Sequence, residues 1–417
     1  MNSLKTNDNI LENYISSLCK NIDIIDKSVH AFLPETGRYE RLLKEAKLLE
    51  KQNKNTLPLF GLTVGVKDIF YVDDLPTRAG SNLPLEAFHG RQADIVTKLK
   101  NAGALILGKT VSTEFAAGEP NETVNPINHN YSPGGSSSGS AAAVAAGLCG
   151  LGIGTQTIGS TLRPASYCGI VGFKPTYGRI NTNGVVAYAP SLDTVGLLTK
   201  NISSIIPIVK IVVSNWKYNK VQNSLPILGI PIGTYLDQAD SDILKVFEKT
   251  IEQLKKNGYT IKEIPMFENI IQINENLWKL ATYEMAKVHK NWYSKYKQLY
   301  RPKTIALIEK GLQVNKKTYH EMLEKQKSLH EFIENKIKQS GIDLWISPAA
   351  LSYAPKMENS FTGDPAMNIP WTFAGLPSLS VPIKNSGKLP LGLQIVGGYE
   401  KDEMVLYESL SIEKSIQ

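Results

Sequence analysis

The sequence predicts an α/β protein in which a large central sheet, mixed but mostly parallel, is sandwiched by helices. Three observations predict it. An amphipathic stretch at 93–101, with Ile95, Val96 and Leu99 apolar, leads through Gly103 into the apolar run 104–107. The alanine-rich stretch 140–146 leads in the same way into 151–154, and the helical pattern 240–257 leads into the alternating run 259–264. Helix and strand alternating across short links is the signature of a largely parallel sheet covered by helices.

Residues 7–19 and 38–52 read as amphipathic helices, and in the second Leu42, Leu43, Ala46 and Leu49 fall on one face. Residues 57–66 switch to a strand pattern that ends at Lys67 and Asp68. Residues 227–231 form another strand. In the helix at 240–257, Asp240 or Ser241 caps the start, Ile243, Leu244, Phe247, Ile251 and Leu254 make the buried stripe, and Gly258 ends it. Residues 268–339 are long, helical in period and Lys-rich, and carry Trp278, Tyr283, Trp292, Tyr293, Tyr296, Tyr300 and Tyr319. Such aromatics anchor helices to a body or cap a cleft. Residues 344–348, 376–382 and 392–396 return to strand.

A chain of 417 residues can bury a large core. It has no run of 18 uninterrupted apolar residues, and its first twenty residues are polar, so a cytoplasmic protein without a membrane span is expected. Cys19, Cys149 and Cys168 supply neither a disulfide framework nor paired metal spacing, and read as small buried thiols. The six histidines form no HxxxH or HxH pair, so neither a metal nor a cofactor is expected. The net charge of +7 is concentrated: between Lys279 and Lys338, thirteen Lys and one Arg face six Glu. With no aromatic-interleaved nucleic-acid signature beside it, this excess reads as a solvated helical face.

Residues 133–176 hold the chain's most unusual composition, PGGSSSGSAAAV followed by GTQTIGSTLRPASYCGIVGFKPT. A run so rich in Gly, Ser and Ala would ordinarily be a linker. Leu148, Leu151, Ile153, Ile170, Val171 and Phe173 make it buried strand and packed turn instead. Buried hydroxyls need partners or a use, and covalent chemistry is a use.

These residues resemble the signature of the amidase signature family of serine hydrolases. The resemblance extends over 58–398 through GLTVGVKD (61–68), LPTRAGS (75–81), GKTVSTEFAAG (108–118), SLDTVG (191–196), GLPSLSVP (375–382) and GLQIVGG (392–398). It implies the amidase signature fold over 56–417, preceded by a helical segment at 1–55, with the Lys-rich insertion near 266–340 capping the cleft. It also implies a Ser–Ser–Lys triad. Carried over residue by residue, the nucleophile is Ser160, the bridging serine is Ser136, preceded by a cis peptide, and the base is Lys67. The backbone amides of Thr157, Ile158, Gly159 and Ser160 would form the oxyanion hole. The implied reaction is hydrolysis of a small-molecule amide, by an enzyme that is often a homodimer. Ile158 stands where many members have glycine, Gln156 where many have aspartate, and Arg163 one place later than the arginine of some relatives. These departures bear on the substrate.

The chemistry sets its own demands. A lysine titrates near ~10.4 in water, so it acts as a base at neutral pH only where burial disfavours the ammonium. Lowering its pKa to about 7–8 costs the charged form roughly 3–5 kcal/mol. The apolar run before Lys67 suits that, although an ion pair with Asp68 is the bland reading of the same lysine. Gly135-Ser136-Ser137-Ser138-Gly139 also spells G-x-S-x-G, which would make Ser137 a nucleophile, but the preceding residues 125–132 are polar where that elbow needs an apolar strand. Within the family, a glutaminase subunit passing ammonia to a partner in tRNA-dependent amidation is the alternative, and only that reading brings in nucleic acid. The chain's shortness and the TQTIGSTLRPAS variant count against it. A non-catalytic binding protein on the same scaffold is a third reading, but all three catalytic positions are filled.

Overall fold

Strands buried along their whole length build the centre of the molecule. The computed structural model describes residues 10–217, 224–383 and 389–417; the first three residues of the helix expected at 7–19 lie outside them. The first half of the chain runs α1 (Ile10–Val29), α2 (Arg38–Glu50), β1 (Thr63–Lys67), α3 (Asp94–Asn101), β2 (Leu105–Thr110), α4 (Ser138–Ala145), β3 (Leu151–Gln156), α5 (Leu162–Cys168), β4 (Val171–Lys174), β5 (Thr194–Thr199) and α6 (Ile202–Val212). It continues with β6 (Leu228–Ile232), α7 (Ser241–Lys256), β7 (Ile261–Pro265), α8 (Ile270–Val288), α9 (Lys290–Tyr296), α10 (Pro302–Leu312), α11 (Lys316–Ser340) and β8 (Leu344–Pro348). It ends with α12 (Ile369–Phe373), β9 (Ser378–Ile383), β10 (Leu391–Val396) and α13 (Asp402–Ile416).

One ten-stranded sheet takes the order β2-β1-β3-β5-β4-β9-β10-β8-β6-β7. Its mixed character is as expected, but parallel pairing is confined to the flanks, β2-β1-β3 and β8-β6-β7. The middle, from β3 through β5, β4, β9 and β10 to β8, is antiparallel. The expectation of mostly parallel pairing therefore holds at the flanks only. A strand covered on both faces is apolar throughout, and its residues do not encode its direction.

The two edges are closed differently. β7 is half-exposed along its length and keeps Lys262 and Glu263, the charged kind of edge that resists further pairing. β2 is fully buried because the N-terminal helices cover it. Leu33 N donates to Lys109 O at 2.9 Å, and Arg41 Nη1 donates to Ile106 O at 2.9 Å. Leu42, Ala46 and Leu49 from α2 join Leu11, Ile15, Leu18 and Ile22 from α1 in one apolar cluster with Leu105 and Leu107. Cys19, Cys149 and Cys168 are free buried thiols, as read from the sequence.

Candidate active site

The small-residue stretch settles onto β3. Gly154 permits this, since a Cβ there would lie 2.5 Å from Ser137 Oγ. Most hydroxyls in the stretch are then consumed by structure. Ser137 Oγ donates to Thr155 O (3.3 Å), Ser138 Oγ accepts from Asn121 Nδ2 (3.2 Å), Ser140 Oγ donates to Ile153 O (3.0 Å) and Ser166 Oγ accepts from Gly392 N (2.8 Å). Ser137, the rival nucleophile of the G-x-S-x-G reading, is thus fixed against the strand. Ser136 and Ser160 remain, and both line one cavity of about 490 Å³.

Lys67, the last residue of β1, approaches Ser136 from behind. It is fully buried, and its Nζ lies 2.7 Å from Ser136 Oγ and 2.9 Å from Thr155 Oγ1. Burial lowers its pKa to about 7, with the charge of Asp193 opposing. Asp68 is not its partner. Asp68 instead pairs with Lys109 on β2 at 3.0 Å and accepts from the N–H groups of Arg78 and Gly80. Two neighbouring buried lysines therefore have opposite roles: Lys109 has a carboxylate, and Lys67 has two hydroxyls. Because Asp68 is almost wholly buried, Lys109→Met should destabilise the fold by about 3–5 kcal/mol through the uncompensated carboxylate, read by denaturant unfolding.

The peptide Gly135–Ser136 is cis. Ser160 follows a short segment after β3, and its hydroxyl has no hydrogen-bond partner among the described residues; nor does a hydrogen bond join it to Ser136. The N–H groups of Thr157, Ile158, Gly159 and Ser160 likewise have none there, and all four residues line the cavity. Four free donors beside a serine hydroxyl form a region able to bind negative charge on an oxygen.

Three supports were not legible in the sequence. Asp193, just before β5, accepts from Thr157 Oγ1 at 2.5 Å and from the N–H groups of Tyr188 and Ala189 at 2.8 and 3.0 Å, so it fixes the start of the Thr157–Ser160 segment. Burial pushes its pKa up to about 6 against those hydrogen bonds. Thr155 is Lys67's second partner. Gln156, read as a substrate-related departure, lies outside the cavity lining: its Oε1 accepts from Thr161 N and Leu162 N at 3.0 Å and caps the start of α5. Asp193 belongs to the SLDTVG block, whose position in the chain gave the only hint.

The helical segment contributes Trp278 from α8 and Leu307 from α10 to the cavity wall. Trp292 and Tyr300 instead stack on Phe115, and Trp292 Nε1 donates to Ala87 O at 3.2 Å, anchoring the segment to the body. His289, enclosed by the same rings, bonds Tyr300 through Nδ1 and is held neutral, its pKa lowered to about 3 by burial. It is not among the cavity's lining residues.

Family and fold together make the chain a hydrolase acting on carbon–nitrogen bonds. The family model for amidases matches residues 13–406, so the chain belongs to the amidase family. A glutamyl-tRNA(Gln) amidotransferase subunit from Salinibacter ruber is 34% identical over 61% of this chain and 54% of that one. Its counterpart in Clostridium novyi is 29% identical over 99% of this chain and 95% of its own length. A crystal structure of an amidase matches with a TM-score of 0.87 at 26% identity, covering 98% of this chain and 99% of that one. Among the described residues, no helix is long and apolar enough to cross a membrane.

Proposed function

We propose that the chain hydrolyses a small carboxylic amide through an acyl-enzyme on Ser160, with Ser136 and Lys67 as the proton relay. The observation that carries this reading is the 2.7 Å contact between Ser136 and a buried lysine titrating at about 7, behind a cavity that Ser160 lines. Neutral Lys67 takes the Ser136 proton while Ser136 takes that of Ser160, and Ser160 Oγ attacks the amide carbonyl. The free amides of Thr157–Ser160 hold the oxyanion, the relay returns a proton to the leaving nitrogen, and water releases the acid. The α8–α10 segment caps the cleft through Trp278 and Leu307. An alkyl fluorophosphonate should label Ser160; a modified peptide mapping to any other serine overturns the assignment.

Asp193 supplies a second test. Its charge opposes the burial effect at Lys67, so Asp193→Asn should lower the lysine's pKa. Activity rises as Lys67 loses its proton, so the acid limb of kcat/KM, recorded between about pH 5 and 9, should move to lower pH. The plateau should fall about tenfold, because one carboxamide oxygen cannot accept both from Thr157 Oγ1 and from the N–H groups of Tyr188 and Ala189. An unmoved limb would disconnect Lys67 from the rate.

The curated relatives favour a second reading, the glutaminase component of an amidotransferase. Purified alone, such a component should prefer glutamine to simple aliphatic and aryl amides, whereas a free-standing amidase shows no such preference.

A further inference from the structure

A chain of buried hydrogen bonds runs from the end of β3 to the carbonyl of Ile158, and the direction of every bond in it is forced. Gln156 is fully buried, and its Oε1 accepts from Thr161 N and Leu162 N at 3.0 Å. Those backbone groups can only donate, so the side-chain oxygen faces them and the nitrogen faces the other way. There Nε2 donates to Thr372 Oγ1 of α12 at 2.8 Å. A hydroxyl that accepts on one side has its single proton for the other, and Thr372 Oγ1 donates it to Ile158 O at 2.8 Å.

The consequence falls on the next amide. Among the described residues the cis bond is Gly135–Ser136, so the Ile158–Gly159 bond is trans. In a planar trans peptide the N–H points opposite to the C=O. Thr372 is buried and outside the cavity lining, whereas Gly159 lines the cavity. Holding Ile158 O against Thr372 therefore aims Gly159 N–H at the cavity, beside Ser160. Gly159 has no side chain to fix this plane itself. Asn368 Oδ1 and Arg163 Nη1 stand where a Cβ would point, the latter 3.0 Å from it, and Arg163 is held there by donating to Thr362 O and Gly135 O. Glycine is also the residue with the freest backbone, so the carbonyl on its N-terminal side sets the orientation.

We infer that Thr372, directed by Gln156, is a positioning residue for the oxyanion: its hydroxyl holds Ile158 O so that Gly159 N–H meets the negative oxygen of the tetrahedral intermediate. This rests on the proposed amide hydrolysis and adds to it the group that orients one of its donors. It also gives a reason for an amide side chain at position 156. A carboxylate there would offer acceptors to both of its partners. Thr372 would then spend its proton on residue 156, and Ile158 O would face a hydroxyl lone pair. Gln156 therefore serves the chemistry through the sense of a hydrogen bond, in addition to capping α5.

The test compares Thr372→Val, which keeps the shape and removes the hydroxyl, with Thr372→Ser, which keeps the hydroxyl. Because a misaimed oxyanion donor acts on the transition state alone, Thr372→Val should lower kcat by about 10- to 100-fold and leave KM within about threefold. Thr372→Ser should return kcat to within about threefold of the parent, a rescue that a role in packing would not give. An unchanged kcat in Thr372→Val, a loss carried by KM, or a serine variant as slow as the valine variant overturns the inference. Thr372→Cys, whose thiol donates weakly, takes the place of Thr372→Val if valine prevents folding. Crystal structures of the parent and both variants need no turnover and separate this inference from the proposed hydrolysis. The Ile158–Gly159 plane should rotate by about 30° or more in Thr372→Val and return in Thr372→Ser, and a smaller rotation overturns the inference. A rotated plane in a chain that cleaves no amide keeps the positioning role and removes the hydrolysis. Full turnover by Thr372→Val keeps the hydrolysis and removes the role.

Discussion

Ser160→Ala is expected to lower amide hydrolysis by about 10⁴-fold or more while leaving the fold intact. The size of the loss follows from the mechanism: without the nucleophile no acyl-enzyme forms, and only binding and oxyanion stabilisation remain to assist water. The intact fold follows from the geometry. Ser160 Oγ makes no hydrogen bond among the described residues, so its removal leaves no buried partner unpaired, and stability should stay within about 0.5 kcal/mol of the parent. Steady-state rates, thermal unfolding and loss of fluorophosphonate labelling are the three readouts. A variant that kept a tenth of the parent rate would exclude Ser160 as nucleophile. One that lost activity together with its melting transition would assign Ser160 to the fold.

Residues whose signal is local could be read from the sequence, and residues defined by distant contacts could not. The helix at 240–257 was legible because cap, apolar stripe and terminal glycine lie within one window, and α7 occupies Ser241–Lys256. The blocks that hold Ser136, Ser160 and Lys67 stood out because each is short and they follow one another in fixed order, and the fold brings Lys67 to Ser136 and both serines to one cavity. The α6 helix was hidden by Pro207 in its interior, where proline ordinarily breaks a helix, and α5 by being buried on every side, which erases the amphipathic period. Asp193 reaches Thr157 across 36 residues, and Arg163 reaches Thr362 across 199. Neither separation has a sequence pattern, so the supports of the site emerged only from the fold. The same holds for the antiparallel centre of the sheet.

Lys67→Met is expected to lower kcat about 10³-fold or more and, at neutral pH, to raise stability by about 1–3 kcal/mol. The two effects have one cause. An unfolded chain keeps the lysine proton up to about 10.5, whereas the folded protein releases it at about 7 because burial disfavours the charge. Between those values the unfolded state binds more protons, so Lys67 makes stability rise with pH across that window and contributes no slope below it. Methionine fills similar space without the desolvation cost, and the hydroxyls of Ser136 and Thr155 losing a partner offsets part of the gain. Lys174, also fully buried and lowered to about 7 by burial with Asp402 opposing, should keep its own slope. Unfolding free energies measured from about pH 6 to 10 should therefore show a reduced rise in the variant, not a flat line. An inactive variant with an unchanged slope would mean that position 67 is charged in the folded parent. The relay would then lack a base, because the methionine would have replaced an ammonium already stable in its burial.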